Sequence, residues 1–538
     1  MGKLSLSKMT CIVAVFCVAA TIAAPAQTYT DLYNFGTASG DPNGPFENVI
    51  AQGRDGNMYS TTEQYFTGGP GEVFRITPTG TLTVLHNFNG TDGQGPFGGL
   101  TLGTDGRFYG TTAYGGKFGY GTIFSMTAQG KLTTLYSFTN GADGSVPIAP
   151  PVEGLDGNFY GTTVGASGNN GSVYQITPAG AFTTLHSFDG TDGANPYSPL
   201  VKATDGNFYG TTHGGGTNGE GTVFKINSLG AFALLHNFAS GDGQPYAGLI
   251  QGSSGSLYGV TSYEAGGGGD VFKISTAGGF TVIHAFTGGS DGENPIGGLV
   301  QATDGNIYGT NDIGPLDFVG GVIFRITPSE AFTTLYDFDY TQGGSAQTTL
   351  LQHTNGVLYG ETCCGGNFSG GVFYSISVGL GPFVTFLPAA RPVGGVVEIL
   401  GQGFTGTTGV SFNGTAASFT VESDTYLTAI VPAGASTGSI IVTEPGGTLT
   451  SNKTFRVVPQ IKSFSPTNGP VSTSVVITGE SFIGVIDVHF GNVKVTSFTV
   501  DSDTQITATV PAGAETGKIS VCTPGGSGDS ASSFTVTP

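Results

Sequence analysis

Aromatic side chains recur in two segments that interrupt an otherwise regular sequence, and such residues can bind sugars. The two segments carry Tyr65, Phe66, Tyr114, Phe118 and Tyr120. Tyr and Phe rings offer a large contact area at a low cost in side-chain entropy, and they can stack on sugar rings while nearby carboxylates accept hydrogen bonds from hydroxyl groups. These five residues are candidates for ligand binding. The alternative is that they pack on their own repeat.

Aspartates followed by glycine also recur at a regular interval. A ring of carboxylates could hold Ca²⁺, which takes several oxygen ligands. The alternative, which the pattern favours, is that each Asp makes a local turn with its own backbone, since no segment has the dense Asp and Asn alternation of a calcium loop. No other cofactor is expected, and no catalytic triad, phosphate loop or carboxylate pair has support from spacing. The weak Ca²⁺ candidates are Asp92, Asp143, Asp192, Asp242 and Asp291.

Cysteine and histidine side chains could also carry chemistry. The adjacent Cys363 and Cys364 could form a vicinal disulfide in an oxidising compartment; the alternative is two free thiols. Cys522 is a third cysteine, so all three cannot pair within one chain. Four histidines occupy one position of a repeat, which predicts that they are spread around a ring and cannot converge on a metal: His86, His186, His236 and His284.

The beginning of the chain resembles an export signal. Lys3 and Lys8 precede an apolar run that ends in Ala24-Pro25-Ala26, which predicts a secretory signal peptide over residues 1–26. No second apolar run is long enough to span a membrane, so the mature chain is expected to have no transmembrane segment. The protein is therefore expected to be secreted, periplasmic or at the cell surface.

The overall charge narrows the class of partner. The 538 residues include 17 Lys and Arg against 37 Asp and Glu, a net charge of −20. Removal of the two lysines of the signal would leave −22. A surface this acidic repels phosphate backbones, so nucleic acid is excluded as a partner. The 94 glycines recur with a period, which argues against a disordered chain.

A segment of the type Asp-Gly-Asn-Phe-Tyr-Gly-Thr-Thr recurs seven times. Each repeat contains four strand-like runs, A to D in chain order; in the fourth repeat these are 199–203, 207–212, 222–226 and 231–238. The Asp-Gly pair between A and B predicts a two-residue hairpin turn with positive φ at both residues. Seven units of four short strands predict a seven-bladed β-propeller over residues 27–381. The repeats centre on Tyr59, Tyr109, Tyr160, Tyr209, Tyr258, Tyr308 and Tyr359.

The two ends of this region predict how the ring closes. Residues 29–35 match strand D, although they precede the first strand A, and the seventh repeat has no strand D after residues 372–376. Pairing these two segments would close the ring and leave no long open strand edge.

The strand order and the Tyr-Gly exit of strand B resemble the kelch repeat, although the chain contains no Trp. The Asp-Gly-Asn-Phe-Tyr-Gly-Thr-Thr and Gly-Thr-Val-Phe-Lys-Ile patterns are more similar to the bacterial GloVer tandem repeat found in exported proteins. This resemblance covers about residues 28–380. It implies the propeller fold and no particular activity.

Two further units follow, residues 382–458 and 459–538. Val431-Pro-Ala-Gly434 aligns with Val510-Pro-Ala-Gly513, and each unit has the length of a small β-sandwich. These motifs resemble the IPT/TIG domain, an immunoglobulin-like module that in exported proteins implies a spacer or adhesion role. The predicted fold is thus all-β, a seven-bladed propeller followed by two immunoglobulin-like (IPT/TIG) sandwiches.

These observations predict an exported, non-catalytic binding or adhesion protein whose propeller recognises an extracellular polysaccharide or a surface protein. The alternative is an extracellular glycan-active enzyme on the same scaffold, namely a hydrolase, a lyase or a galactose-oxidase-like protein. The copper centre of galactose oxidase needs two Tyr, two His and a Cys linked to one Tyr. This chain matches that pattern poorly, and the stacking Trp of galactose oxidase is absent here. A purely structural surface protein is a third reading.

Overall fold

A computed structural model describes residues 27–37, 41–46, 48–63, 69–165, 168–262, 268–314 and 320–538. Those residues form 47 β-strands and no helix, so no helix in the described part of the chain could cross a membrane. The predicted signal peptide, residues 1–26, lies outside the described residues. The all-β prediction is confirmed.

The first strand is β1 (Thr28–Asn34), and six groups of four strands follow it. Blades 1 to 3 consist of β2 (Ala51–Gln52), β3 (Met58–Thr62), β4 (Glu72–Ile76) and β5 (Leu82–Asn87); β6 (Thr101–Leu102), β7 (Phe108–Thr112), β8 (Thr122–Met126) and β9 (Leu132–Ser137); and β10 (Val152–Glu153), β11 (Phe159–Thr163), β12 (Ser172–Ile176) and β13 (Phe182–Ser187). Blades 4 to 6 consist of β14 (Val201–Lys202), β15 (Phe208–Thr212), β16 (Thr222–Ile226) and β17 (Phe232–Asn237); β18 (Ile250–Gln251), β19 (Leu257–Thr261), β20 (Asp270–Ile274) and β21 (Phe280–Ala285); and β22 (Val300–Gln301), β23 (Ile307–Asn311), β24 (Val322–Ile326) and β25 (Phe332–Asp337).

The seventh blade combines the two ends of the propeller. It contains β26 (Leu351–Gln352), β27 (Leu358–Thr362) and β28 (Val372–Ser377), and β1 is its outer strand, in the order β1-β28-β27-β26. Strand β1 is antiparallel to β28, with Tyr29 opposite Ile376 and Asn34 opposite Val372. The predicted closure is confirmed, and the seventh blade has no unpaired outer edge on β28.

In every blade the strand order A-B-C-D places the connections at two opposite ends. The A–B and C–D turns lie at one end, which we call the hairpin face. The B–C loops and the D–A connections lie at the other, the loop face. Bridges such as Gln94–Tyr114 and Gly344–Cys364 join a D–A connection to the B–C loop of the next blade, so adjacent blades are tied together on the loop face.

The recurrent Asp-Gly-x-x-Tyr motif holds neighbouring blades together. The Tyr209 hydroxyl donates to Asp205 Oδ2 over 2.6 Å, and equivalent Tyr-to-Asp bonds occur in four other blades. The Tyr ring of one blade stacks on the strand-B Phe of the next, as in Tyr109–Phe159 with centroids 3.7 Å apart. The motif is therefore conserved along the chain for packing and not for chemistry.

Two local features differ from the sequence-based predictions. The A–B turn is a three-residue loop: Gly206 N–H donates to Ala203 O, Ala203 N–H donates to Asn207 O, and Gly206 has positive φ while Asp205 does not. Such a loop is a type I turn followed by a bulge. Each strand A contains two residues, because the preceding connection runs inward to the axis, and a proline such as Pro199 lacks the N–H that a ladder needs.

The strand-D histidines belong to an outer belt of stacked rings. His186 stacks on Phe232 of the next blade with centroids 3.9 Å apart, and His236 and His284 stack in the same way on Phe280 and Phe332. The next blade supplies a partner at each of these seams. The histidines are thus distributed around the ring, as the repeat spacing predicts.

The first sandwich contains β29 (Thr385–Leu387), β30 (Ala390–Arg391), β31 (Val396–Leu400), β32 (Gly409–Phe412), β33 (Thr415–Ala417), β34 (Phe419–Ser423), β35 (Tyr426–Ile430), β36 (Ile440–Glu444), β37 (Gly447–Thr450) and β38 (Arg456–Val457). The second contains β39 (Gln460–Ser465), β40 (Asn468–Gly469), β41 (Ser474–Glu480), β42 (Asp487–Phe490), β43 (Val493–Lys494), β44 (Phe498–Ser502), β45 (Gln505–Thr509), β46 (Gly517–Thr523) and β47 (Gly526–Val536). In each, sheets β29-β31-β35-β34 and β39-β41-β45-β44 face a second sheet across an aliphatic and Phe core.

The first sandwich docks on the hairpin face. Arg54 in the first A–B turn donates its Nε–H to Glu398 over 3.0 Å, and its guanidinium lies 5.0 Å from the centre of the Tyr426 ring. The Thr425 hydroxyl donates to the Arg54 carbonyl over 2.8 Å, and Leu400 packs into a core cluster of blades 1 and 2. These contacts cover part of the hairpin face, whereas none of them involves the loop face.

Candidate functional site

In five blades, the residue four positions before strand A lines a cavity at the centre of the loop face. The cavity at the axis has a volume of about 30 Å³, which is enough for about one water molecule. A ligand larger than water must therefore lie across the face and not inside the ring. Those five residues are Ile148, Tyr197, Tyr246, Ile296 and Gln347, one from each of blades 3 to 7. Phe46 and Phe97 precede strand A in blades 1 and 2.

A strip of aromatic rings runs outward from this centre over blade 2. The Phe46 and Phe97 rings meet edge to face with centroids 6.3 Å apart, and Phe97 meets Tyr114 in the same way at 6.3 Å. Beyond Tyr114, which is 48% exposed, the loop presents Phe118 at 47% and Tyr120 at 38% exposure. We call these five residues the aromatic strip. Phe46, Phe97 and Tyr114 contact one another in sequence, and Tyr114, Phe118 and Tyr120 are exposed on one loop. Together they form an apolar surface that is open to a partner.

The loop that carries the outer part of the strip is held on both sides by its neighbours. Gly116 N–H donates to Gly90 O over 2.9 Å, and Val146 N–H donates to Tyr120 O over 3.0 Å. Gly115 has φ +74°, and a Cβ there would lie 2.6 Å from Gly90 O, so this position requires glycine. The backbone is thus fixed before any ligand binds.

Blade 4 contains the same loop without the rings. The bridges Gln94–Tyr114 and Gly115–Tyr120 of blade 2 correspond to Ala194–Gly214 and Gly215–Glu220 of blade 4. In blade 4 the positions of the three aromatic residues are occupied by Gly214, Asn218 and Glu220. The loop therefore adopts this conformation without aromatic side chains, which argues against the reading that these rings serve only to pack their own blade.

The structure brings together part of the predicted site and adds to it. Tyr114, Phe118 and Tyr120 lie on one loop, whereas Tyr65 and Phe66 lie outside the described residues. Phe46 and Phe97 were missed by sequence reasoning. They follow the Pro that opens six of the seven axial segments (Pro45-Phe46, Pro96-Phe97), a signal that the repeat itself contains.

Blades 4 and 5 contribute a more polar sector. The Tyr197 and Tyr246 rings stack with centroids 4.9 Å apart, and the His213 ring meets both edge-on. Burial lowers the pKa of His213, although the charge of Glu220 opposes the shift. The Gln244 amide donates to Glu220 over 3.2 Å. The two stacked rings cover each other's faces. A ligand over this sector would therefore meet hydrogen-bonding groups and not open ring faces.

Each aspartate considered as a Ca²⁺ ligand completes a turn. Asp92 accepts a bond from Asn89 N–H over 3.0 Å and lies 2.9 Å from His86 Nε2. Asp143 accepts a bond from the Tyr136 hydroxyl over 3.1 Å. The five aspartates belong to five different D–A connections, and in the described part of the chain no three His, Cys, Asp or Glu side chains are grouped so as to hold a metal ion.

The cysteine pair lies on the loop face in blade 7. Cys363 is buried, Cys364 is partly buried, both are free thiols in the structure, and their sulfurs are 2.6 Å apart. Cys522 is in the second sandwich, where the Ser527 hydroxyl donates to its sulfur over 3.2 Å. The vicinal disulfide remains a prediction.

A buried carboxyl at the seam between blades 7 and 1 was not foreseen. Glu361 takes a strand-B position that is Thr in five other blades. It accepts bonds from Ser60 Oγ over 3.2 Å and from Asn48 Nδ2 over 3.3 Å. Burial raises the pKa of Glu361 to about 8, so the group is mostly protonated at neutral pH. Ser60 occupies a position that is glycine in the other blades, so this pairing of Ser with Glu occurs at the closing seam alone.

Charge is divided unequally between the two faces. Of the nine Lys and Arg residues in residues 27–381, eight lie toward the hairpin face, and Lys117 alone lies on the loop face. The described connections and strand ends of the loop face carry at least fourteen carboxyl groups: Asp41, Glu63, Glu72, Asp92, Asp143, Asp189, Asp192, Glu220, Asp242, Asp270, Asp291, Glu293, Asp312 and Asp339.

The chain belongs to the Gloeobacter/Verrucomicrobia repeat family. The model of that repeat matches residues 18–163, 140–315 and 205–421, which together span about three quarters of the chain. The IPT/TIG domain model matches residues 459–537. These findings confirm the repeat resemblance and the IPT/TIG resemblance of the second unit. The IPT/TIG assignment of residues 382–458 stays a prediction. No curated protein matches the chain.

The chain is also similar to several solved structures. A fungal alcohol oxidase of the AA5 family, in complex with copper, is 14% identical over 77% of this chain and 98% of its own, with a TM-score of 0.46. PorZ, a surface component of the type-IX secretion system of Porphyromonas gingivalis, is 16% identical over 78% and 60%, with a TM-score of 0.42. The surface glycan-binding protein PbSGBP-B of Prevotella bryantii is 18% identical over 28% and 41%, with a TM-score of 0.20. At these identities and TM-scores the likenesses say nothing about what this chain binds.

Proposed function

We propose that this protein is an exported, non-catalytic binding protein whose loop face recognises an extracellular polysaccharide. The aromatic strip over blade 2 is the binding surface, and the first sandwich is docked on the opposite face of the propeller. The strip would stack on successive sugar rings, while carboxylates and amides of the neighbouring connections accept and donate hydrogen bonds at the hydroxyl groups.

The observation that carries the proposal is the comparison of blades 2 and 4. Both blades build one loop conformation, but only blade 2 exposes Tyr114, Phe118 and Tyr120 on it. Exposing apolar rings that the fold does not need is unfavourable in water. A ligand that covers these rings on binding would remove this unfavourable exposure and would explain why blade 2 carries them.

The shape of the face supports a polymer as the ligand. The axial cavity has a volume of about 30 Å³, which is too small for a whole monosaccharide. The strip is instead open and elongated, with successive centroids 6.3 Å apart from Phe46 through Phe97 to Tyr114. An extended chain of sugars can contact several rings at once, and each weak contact adds to the total affinity.

The test replaces the exposed rings by the residues of blade 4, except that Gln stands in place of Glu220 so that no charge is added. The variant carries Tyr114→Gly, Phe118→Asn and Tyr120→Gln. An aromatic contact contributes about 0.5–1.5 kcal/mol, so losing three should weaken binding to a glycan array hit by about tenfold to a thousandfold. The melting temperature should stay close to that of the parent, because the same loop folds in blade 4 without the rings.

A control variant changes an exposed ring in another blade. Phe368 is 53% exposed in the B–C loop of blade 7, and Phe368→Asn should leave the affinity within about twofold. The proposal is wrong if the triple variant binds as tightly as the parent, or if no glycan on the array binds the parent protein. A large fall in the melting temperature of the triple variant would show that the rings are packing residues.

A further inference from the structure

We infer that the polysaccharide is one whose sugars carry amino groups, and that the loop face excludes polymers of uronic acids. This inference rests on the proposed function, and it adds the chemical class of the ligand. Three observations carry it: the unequal distribution of charge, the carboxylates on both sides of the aromatic strip, and an ammonium group already seated on one ring of the strip.

The charge distribution is the first observation. The loop face carries at least fourteen carboxyl groups and Lys117, while the other eight cations of the propeller lie toward the hairpin face. Burial raises the pKa of Glu63 to about 7 and that of Asp270 to about 6, so these two are partly protonated at mildly acid pH. The ionised carboxyls sit on a rigid scaffold and share one direction of approach, so their potentials add. A polyanionic glycan approaching this face is repelled, and a cationic one is attracted.

The carboxylates nearest to the strip are the second observation. The loop of blade 2 is bonded on one side to the turn that contains Asp92 and on the other to the connection that contains Asp143. Burial acts to raise the pKa of Asp143, but hydrogen bonds from Thr139, Tyr136 and Gly141 outweigh it and hold this pKa below its ordinary value. Asp143 is therefore ionised when a ligand reaches Tyr120.

The third observation is a cation held by the strip itself. Lys117 Nζ lies 5.1 Å from the centre of the Phe118 ring, within the range of a cation–π interaction. Lys117 is exposed, and it is the one cation on this face. The ammonium of an amino sugar can make the same contact with Tyr114 or Tyr120, and it can take the place of Lys117 on Phe118.

The experiment compares ligands that share one backbone and differ in charge. The probes are β-1,4-linked glucosamine hexamers, their N-acetylated counterparts and oligogalacturonate, measured by calorimetry with the full chain at mildly acid pH, where the amines are protonated. In about 0.1 M salt the glucosamine hexamer should bind at least tenfold more tightly than the N-acetylated hexamer, and oligogalacturonate should not bind. In about 1 M salt, where the Debye length falls from about 10 to 3 Å, the two hexamers should bind alike.

Two charge-reversal variants test the face. Lys117→Glu removes the competing ammonium and should tighten binding of the glucosamine hexamer several-fold. Lys131→Glu makes the same change on the hairpin side of the same blade, at an exposed position, and should leave the affinity unchanged.

Three results would overturn the inference and leave the proposed function standing: equal binding of the two hexamers at low salt, binding of oligogalacturonate, or no effect of Lys117→Glu. A lysine hexapeptide that binds more tightly than the glucosamine hexamer would also overturn it, because the partner would then be a basic polypeptide. Absence of binding to every glycan would instead refute the proposed function.

Discussion

Closure of the propeller depends on non-covalent contacts of β1, and Tyr29 is its main anchor. The Tyr29 ring stacks on Tyr336 with centroids 3.9 Å apart and contacts Phe338 and Tyr374 at 5.7 and 5.4 Å. Truncating a buried aromatic residue to Ala costs about 3–5 kcal/mol. Because Tyr29 is only partly buried, we expect Tyr29→Ala to cost about 2–3 kcal/mol.

The cost should appear as local opening of the seventh blade. Strand β1 is joined to β28 by backbone bonds from Thr28–Ser377 to Asn34–Val372, and no turn links the two strands. A loss of 2–3 kcal/mol raises the open fraction by about 30- to 150-fold. Hydrogen exchange measured by mass spectrometry should therefore show faster exchange in a peptide covering β28, while blade 4 is unchanged.

Tyr136→Ala is the matched control. Tyr136 stacks on Phe182 with centroids 4.2 Å apart, but its strand β9 is tethered to β8 by a C–D turn. This variant should lower the global stability by a similar amount without selective exchange in its blade. Equal exchange profiles for the two variants, or normal protection of β28 in Tyr29→Ala, would refute the closure argument. Deleting residues 28–34 should expose the β28 edge and cause aggregation.

Three further predictions concern stability and the thiols. His353 donates from Nε2 to Gly56 O and accepts Asn355 N–H at Nδ1. Burial lowers the pKa of His353, so the contribution of its neutral form to stability is complete above about pH 6.5, the pKa in the unfolded chain. That contribution is lost as the pH falls below this value. Urea midpoints measured against pH should show the loss, and His353→Gln should make the midpoints less dependent on pH. Glu330 has φ +65° where five other C–D turns have glycine, so Glu330→Gly should raise the free energy of unfolding by about 1 kcal/mol, and a loss of stability would contradict this. Intact mass and thiol titration should give one free thiol per mature chain, since Cys363 and Cys364 are expected to be oxidised to each other; three free thiols would contradict the prediction.

The sequence predicted the blades because each blade is a local object. Four short strands joined by turns lie within about fifty residues, so the repeat of Tyr59, Tyr109 and Tyr160 reports their number and order directly. The closing strand was predictable for the same reason: a segment with the strand-D pattern stood at the wrong end of the repeat. The turn type was not, because Asp-Gly suits both a two-residue turn and a type I turn with a bulge.

The candidate site was only partly predictable. Tyr114, Phe118 and Tyr120 stood out because they interrupt the repeat. Phe46 and Phe97 did not stand out, because they occupy ordinary positions of the repeat. Their contact with Tyr114 arises only when the blades are arranged around one axis. Sequence reasoning also could not tell whether the fold needs these rings, whereas the loop of blade 4 adopts the same conformation without them.

The sequence by itself determined the all-β architecture, the seven blades, the closure by β1 and the two sandwiches, since all of these follow from periodic patterns over neighbouring residues. The tertiary structure alone decided which surface remains free. Arg54 and Tyr426 are 372 residues apart, and no local pattern indicates that they meet and cover the hairpin face. In the same way, strand direction in an antiparallel blade sends Arg75 and Lys225 to one end and Asp92 and Asp192 to the other. A charge that looks uniform along the chain becomes, in three dimensions, one nearly neutral face and one acidic face.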